Sequence, residues 1–197
     1  MLVKERDSSS EVAKYQHIVS SAIKCFMERG YREIDISYKE LAAVCGIRES
    51  EFCKYYAERW QILLDVIADA ALCCERELFL KIKNTKHQNN YRILHFITCV
   101  DDFLESHPEA GFLFSLSSTA EVVLSPAYKA LISYFDRWQN ILTQYLLQDL
   151  PFDTATRVSE VYVATLKGGF LESDLSVGHM MAREFLMEVV KCCSLVV

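Results

Sequence analysis

Between Glu11 and Phe26 the apolar residues Val12, Tyr15, Val19, Ala22, Ile23 and Phe26 recur at steps of three and four, and Gly30 follows shortly after. That spacing draws one apolar stripe along an amphipathic helix, since about 3.6 residues complete a turn. A glycine just beyond the stripe suits the left-handed residue that closes a helix. Similar periods return along the chain with little to interrupt them, because 197 residues contain 6 Gly and 3 Pro. The chain is therefore predicted to be all-α. Residues 1–10 are polar, contain Asp7-Ser8-Ser9-Ser10 and read as a loose arm ahead of the first helix.

After Gly30, Ser37 stands three residues before Glu40, the spacing of a capping box. The helix it starts runs to about Cys45, and Gly46 supplies a tight turn. A further short helix begins at about Arg48, with Phe52 and Tyr56 on one side and Glu49, Ser50, Cys53 and Lys54 on or near the other. Leu41, Ala42, Val44 and Ile47 are the expected inward residues. Two short helices joined at a glycine and packed on a preceding helix form a helix-turn-helix. In that motif the first helix braces across the DNA backbone, and the outer face of the second enters the major groove.

Downstream, a long helix is expected from about Glu58 to Lys83, with Leu63, Leu64, Ile67, Ala71, Leu72 and Leu78 inward. Asn84 to Asn90 is the clearest loop. Helices follow at about 91–105, 108–117, 126–148, 154–173 and 179–193. Proline near the start marks two of them, at Ser106-His107-Pro108 and Ser125-Pro126. Asp153 is the expected cap of the helix after Leu150-Pro151. The total is about nine helices, divided into a domain at 1–58 and a larger one at 59–197.

Charge excludes a uniformly basic nucleic-acid binder, because the net value is −6. Residues 1–60 hold ten basic and ten acidic residues, so the excess lies downstream, where 21 − 10 = 11 basic face 27 − 10 = 17 acidic residues. No apolar run approaches the roughly 18 residues of a membrane span. No secretory signal precedes the eight cysteines, most of which sit in apolar helical patterns. They read as reduced, buried thiols, and the protein is expected in the cytoplasm.

Gly30-Tyr31, then Ser37, Leu41-Ala42, Cys45-Gly46-Ile47, Tyr56, Arg59 and Leu63 follow one another in an ordered pattern. The pattern resembles the TetR family of bacterial transcriptional regulators over about residues 11–65. There the family has a Thr or Ser, an Ile-Ala pair, an Ala-Gly-Val turn, a Phe, a Lys and a Leu. The resemblance implies a three-helix, N-terminal DNA-binding domain and a larger helical domain for effector binding and dimerisation. It implies a one-component regulator, a repressor that binds double-stranded operator DNA as a homodimer and is released by a small molecule. By the same resemblance, Ser37 and Lys39 approach one strand, and Arg48, Lys54, Tyr55 and Arg59 the other, beside Glu49, Ser50 and Glu51.

The departures fall in the recognition helix. The family's usual tyrosine is Cys53 here, and the positions of small or basic residues are Glu49 and Glu51. A glutamate near phosphate is repelled. It also complements the positive end of a helix, and it can accept a hydrogen bond from the amino group of cytosine. Three readings stay open: helix-start stabilisation, base reading, or a fold of this type that serves as a ligand- or protein-binding dimer with weak or lost DNA binding.

In the larger domain, an apolar or aromatic effector would be lined by His95, Phe96, Cys99, Phe103, Phe112, Tyr134, Trp138 and Tyr162, residues that equally suit plain core. Val161, Thr165, Gly168, Gly169, Phe185, Leu186 and Val189 are the expected dimer interface. Gly168-Gly169 resembles the glycine-containing helix of the family's interface. No phosphate-binding glycine loop, HExxH, HxxxH or CxxC occurs, and no nucleophile–base set stands out. No catalytic residue, metal or cofactor is assigned.

Overall fold

The computed structural model describes residues 2–31, 36–84, 91–169 and 175–194, and every regular element among them is helical. Two compact units divide the chain, Met1–Ala68 and Asp69–Val197.

In the first unit, α1 (Leu2–Arg29) is followed by α2 (Tyr38–Val44), α3 (Glu49–Tyr55) and the start of α4 (Arg59–Cys73). Helix α1 begins at Leu2, so the polar segment expected as an arm is its first turns. No glycine or proline separates that segment from the amphipathic stretch, so nothing in it stops the helix. Burial begins deeper than the stripe does: Val12 and Tyr15 are exposed, whereas Ile18, Val19, Ala22, Cys25 and Phe26 are core. Gly30 closes α1 at φ 99°, a left-handed conformation that costs glycine little.

Helix α2 starts at the expected box. The Glu40 amide donates to Ser37 Oγ, and the Ser37 amide donates to the Glu40 carboxylate at 2.9 Å. Leu41 and Ala42 point inward, but Val44 is 47 % exposed and Cys45 takes the inward place. The reason is the cap: Cys45 sits at the helix end, where its thiol donates to the Ile18 carbonyl at 3.6 Å.

The second unit begins within α4. A π-helical stretch (Cys74–Phe79) follows α4 directly and leads into α5 (Leu80–Asn84). The long helix expected over 58–83 is thus continuous but widened by one π segment. Leu72, expected inward, is 52 % exposed. The neighbouring Cys74 and Leu78 are buried, on the widened turn. The loop expected at 84–90 falls, beyond Asn84, outside the described residues.

Next come α6 (Tyr91–Ser106), α7 (Pro108–Ser115), a 3-10 turn (Leu116–Ser118), α8 (Ala120–Val123), α9 (Ala127–Leu146), α10 (Phe152–Gly169) and α11 (Leu175–Ser194). With α4 to α5 taken as one helix and the single-turn α8 set aside, 11 − 2 = 9 helices remain among the described residues. Asp153 lies in the first turn of α10 rather than at its cap, because Pro151 already accepts from the Ala155 amide at 2.9 Å. Helix α11 starts four residues ahead of the expected His179. The segment expected to extend α10 to Ser173 lies, beyond Gly169, outside the described residues.

Helix α10 packs against both α9 and α11. Its small residues Ala155 and Ser159 are fully buried, which lets a neighbour approach closely. Ser159 Oγ donates to the Ala155 carbonyl at 2.8 Å, so that burial leaves no orphan hydroxyl.

Candidate nucleic-acid interface

The turn between α2 and α3 is built by backbone geometry. The Gly46 amide donates to the Ala43 carbonyl and the Ile47 amide to the Ala42 carbonyl, both at 3.0 Å. Gly46 adopts φ 68°, which other residues occupy only with strain. Arg48 then provides the first carbonyl of α3, accepting from the amides of Glu51 and Phe52 at 2.9 Å. Its side chain makes no capping bond and is exposed.

Seven residues are too few for a helix to hold itself together in water. Packing supplies the order. Phe52 is fully buried, edge-on to Tyr38 at 5.8 Å between ring centroids and 5.7 Å from Tyr56. Tyr56 in turn meets Tyr15 of α1 at 6.3 Å. With Phe52 and Tyr56 turned inward as expected, the opposite face of α3 presents Arg48, Glu49, Ser50, Cys53, Lys54 and Tyr55 to solvent.

The two glutamates of the first turn differ in setting. Glu51 is ion-paired with Lys14 of α1. The hydrogen bond from that ammonium, with its charge, holds the Glu51 carboxyl below the ordinary range. Lys14 Nζ also lies 5.8 Å from the centre of the Tyr55 ring. Glu49 is exposed and makes no ion pair among the described residues. Lys14 was not singled out by sequence reasoning. No local spacing flags it, because its partner is 37 residues away on another helix.

Ser37 and Arg59 are committed to the fold. The Ser37 hydroxyl donates to Glu40 at 2.7 Å, and Arg29 donates to the other oxygen of the same carboxylate at 2.9 Å. The Ser37 backbone amide, then its hydroxyl, then Arg29 pull the Glu40 carboxyl down to about 2. The Arg59 guanidinium donates to the Tyr31 carbonyl at 2.8 Å and to the Ile36 carbonyl, and lies 5.7 Å from the centre of the Tyr38 ring. It clamps the chain on either side of residues 32–35. Lys39 is exposed. The outer surface of the motif therefore offers cations at Lys39, Arg48 and Lys54.

In the second unit, the residues expected to line an effector pocket come together as a packed aromatic cluster. Trp138 contacts Phe103 at 6.3 Å and Tyr134 at 6.3 Å, with Phe79 and Phe114 also against it. Phe96 packs on Tyr162 at 5.8 Å. Phe96, Cys99, Phe103, Phe112, Tyr134, Trp138 and Tyr162 are all buried, and His95 is half-buried beside Cys99. The Trp138 indole N–H is buried beside Cys74 and Tyr134, with no acceptor at full hydrogen-bond geometry among the described residues. Buried donors of this kind orient a polar group when one is present.

The expected dimer residues divide. Val161 is 45 % exposed, and Thr165, Phe185 and Val189 are half-buried. Leu186 is fully buried within its own chain. A methyl group at Gly168 would meet nothing within 4 Å, so the isolated chain supplies no steric need for glycine there. Met180 and Met181, not foreseen, are each 53 % exposed on α11.

No family model matches this sequence, and no curated protein matches it. Solved structures do. A TetR-family transcriptional regulator from Agrobacterium tumefaciens aligns with a TM-score of 0.69 at 15 % identity, covering 89 % of this chain and 97 % of its own. AibR, solved with isovaleryl coenzyme A and operator DNA, aligns at 0.62 and 13 % identity, covering 78 % and 84 %. FadR from Bacillus subtilis, solved with stearoyl-CoA, aligns at 0.61 and 17 % identity, covering 89 % and 97 %. The all-helical fold is that of the TetR-family regulator from Agrobacterium tumefaciens, and the other two structures align with it as well. No described helix is long and apolar enough to cross a membrane.

Proposed function

We propose that this chain, built on the TetR-family fold, is a cytoplasmic transcriptional regulator and not an enzyme. It binds operator DNA as a homodimer through the outer face of α3 and represses until an apolar effector releases it. The observation that carries this reading is the helix–Gly46–helix unit, with Phe52 buried and Arg48, Lys54 and Tyr55 outward. Arg48, Lys54 and Lys39 supply the phosphate attraction, and Ser50 and Glu49 face the bases. Ser37, Glu51 and Arg59 act one step back, by holding the helices that carry these groups.

Val161, Thr165, Gly168, Gly169, Phe185 and Val189, joined by Met180 and Met181, form the self-association surface on α10 and α11. A two-fold dimer sets two α3 helices about 34 Å apart, one turn of DNA. The effector reading rests on the aromatic cluster around Trp138 and on the acyl-coenzyme A held by two similar structures. Its ligand is an apolar or aromatic small molecule, and binding acts by favouring a spacing that misses consecutive grooves.

The test is a gel shift with the DNA upstream of the protein's own coding sequence. A retarded, salt-sensitive complex is expected. Failure to bind at low salt, with helicity and dimer intact, sinks the reading. Glu49 motivates the rival, a ligand- or protein-binding dimer without operator DNA. The double variant Glu49→Ala, Glu51→Ala separates the two. An altered base preference supports operator reading, whereas a uniform rise in affinity for any duplex supports the rival.

A further inference from the structure

Four side chains of the second unit converge where α4 gives way to the π-helical stretch. Cys73 is the last residue of α4, and Glu77 stands one turn on. His107 immediately precedes α7, and Glu109 lies in that helix's first turn. Cys73 Sγ is 3.6 Å from His107 Nε2 and 3.6 Å from Glu77 Oε1, and His107 Nε2 is 2.8 Å from Glu77 Oε2. On the other side of the ring, His107 Nδ1 is 3.0 Å from Glu109 Oε1. The Phe103 ring lies beside the imidazole, with centroids 4.8 Å apart and planes tilted by 32°.

We propose that Cys73, Glu77 and His107 form a binding site for a zinc-class divalent ion, with Glu109 as the residue that orients His107. Tetrahedral bonds of about 2.3 Å to sulfur and about 2.0–2.1 Å to nitrogen or oxygen put sulfur about 3.6 Å from each of the other two ligand atoms. Both observed sulfur distances match that edge, but Nε2 touches the other oxygen, Oε2, and Sγ also lies 3.4 Å from Nδ1, so the imidazole and the carboxylate must turn before one atom of each faces a single ion. The nitrogen–oxygen edge needs to open by roughly half an ångström, which the exposed Glu77 side chain can do by a small torsion. Glu109 accepts from Nδ1–H, and when Nε2 releases to solvent the proton it shares with Glu77 its lone pair is free for the metal, the carboxylate–histidine–metal relay of natural sites.

A nucleophilic cysteine–histidine pair is the competing reading of the same atoms. In that reading His107 would take the thiol proton, but both of its ring nitrogens already face carboxylates, Glu77 at 2.8 Å and Glu109 at 3.0 Å. A metal ion changes that balance, since coordination expels the thiol proton to solvent. Three protein ligands leave one coordination position for water or an effector group. Glu77 is exposed, so an ion can enter from solvent. Spacing alone does not reveal the site, because its histidine comes from the cap ahead of another helix and 30 residues separate Glu77 from His107. The π segment beginning at Cys74 adds weight, since such widened turns are frequent at functional sites.

Titration of the full-length, metal-stripped protein with cobalt(II) tests the proposal. The expected result is one ion per chain, a thiolate-to-cobalt absorption band in the near ultraviolet, tetrahedral-intensity visible bands, and displacement by zinc. Cys73→Ser is expected to abolish the near-ultraviolet band, and His107→Gln to weaken binding while the helical circular dichroism stays unchanged. Glu109→Gln is expected to lower affinity about 10- to 100-fold. Cys53→Ser, on α3, should change none of this. No near-ultraviolet band in the parent protein overturns the proposal, and so does a band that survives Cys73→Ser. The experiment uses no DNA, so its outcome is independent of the regulatory reading.

Discussion

Lys14 of α1 reaches across to α3 and pairs with Glu51 in its first turn, beside the ring of Tyr55. One of the two acidic side chains in the first turn of α3 is thereby matched within the fold. Glu51→Gln should release the Lys14 ammonium to face DNA. The expected outcome is a slope of log affinity against log salt that steepens by about one ion, since each phosphate neutralised contributes about −0.9. Fluorescence anisotropy over a salt series measures it. An unchanged slope would mean that Lys14 stays away from the phosphates.

Glu49 stands exposed on the same turn. If it reads a cytosine, Glu49→Ala should cost about 1–3 kcal/mol of discrimination at one base pair and leave other positions alone. Binding to a library of single-substitution operators shows this as preference lost at that position. Equal gains for all sequences would assign Glu49 to the helix start alone.

Arg59 matters through geometry more than through charge. Its guanidinium holds two carbonyls, those of Tyr31 and Ile36, on either side of a short segment. Arg59→Ala is expected to cost roughly 2 kcal/mol of stability in the first unit, the scale of a hydrogen bond to a charged group. Arg59→Lys should cost nearly as much, because one ammonium lacks the fork that spans both acceptors. Chemical denaturation followed by circular dichroism distinguishes this from a purely phosphate-binding arginine, for which Lys would restore both stability and affinity.

Acid should loosen the start of α2 late. The Glu40 carboxyl is depressed to about 2 in the folded chain by the Ser37 amide, the Ser37 hydroxyl and Arg29. Its ordinary value is 4.5, so the unfolded chain takes up the proton first as pH falls. The stabilisation is complete above about pH 4.5 and is lost as pH drops toward about 2. In Glu40→Gln that part of the acid dependence should disappear, as seen by comparing urea midpoints at neutral pH and near pH 3.

Gly168→Ala separates two kinds of glycine. Alanine should stabilise the helix of an isolated chain by about 1 kcal/mol, and the space around Gly168 admits the methyl group. If α10 meets its copy there, the same methyl group should weaken the dimer. Sedimentation velocity and thermal melts together report both effects. A dimer as strong as the parent's would remove Gly168 from the interface.

Local signals in the sequence were those that act over a few residues. The box at Ser37 and Glu40, the left-handed turn at Gly46 and the period that buries Phe52 and Tyr56 all read directly. Val44 and Cys45 show where such reading stops, because a helix end rotates the next side chain by the local turn geometry rather than by the 3.6-residue period. Leu72 lies off the face drawn by Leu63, Val66, Ile67, Ala70 and Cys74, whose steps of three and four leave it outside. Lys14 with Glu51, and Cys73 with His107, were not legible at all. Each joins separate helices, and no fixed spacing encodes where two helices meet.

Helix α3 has seven residues and draws its order from a relay of rings, Tyr38 and Tyr56 against Phe52, with Tyr15 behind Tyr56. A helix of this kind has no stability of its own to lose gradually. Amide exchange along α3 should therefore keep the pace of the α1 core, and any event that loosens those rings would undo the helix without touching a single side chain on its outer face.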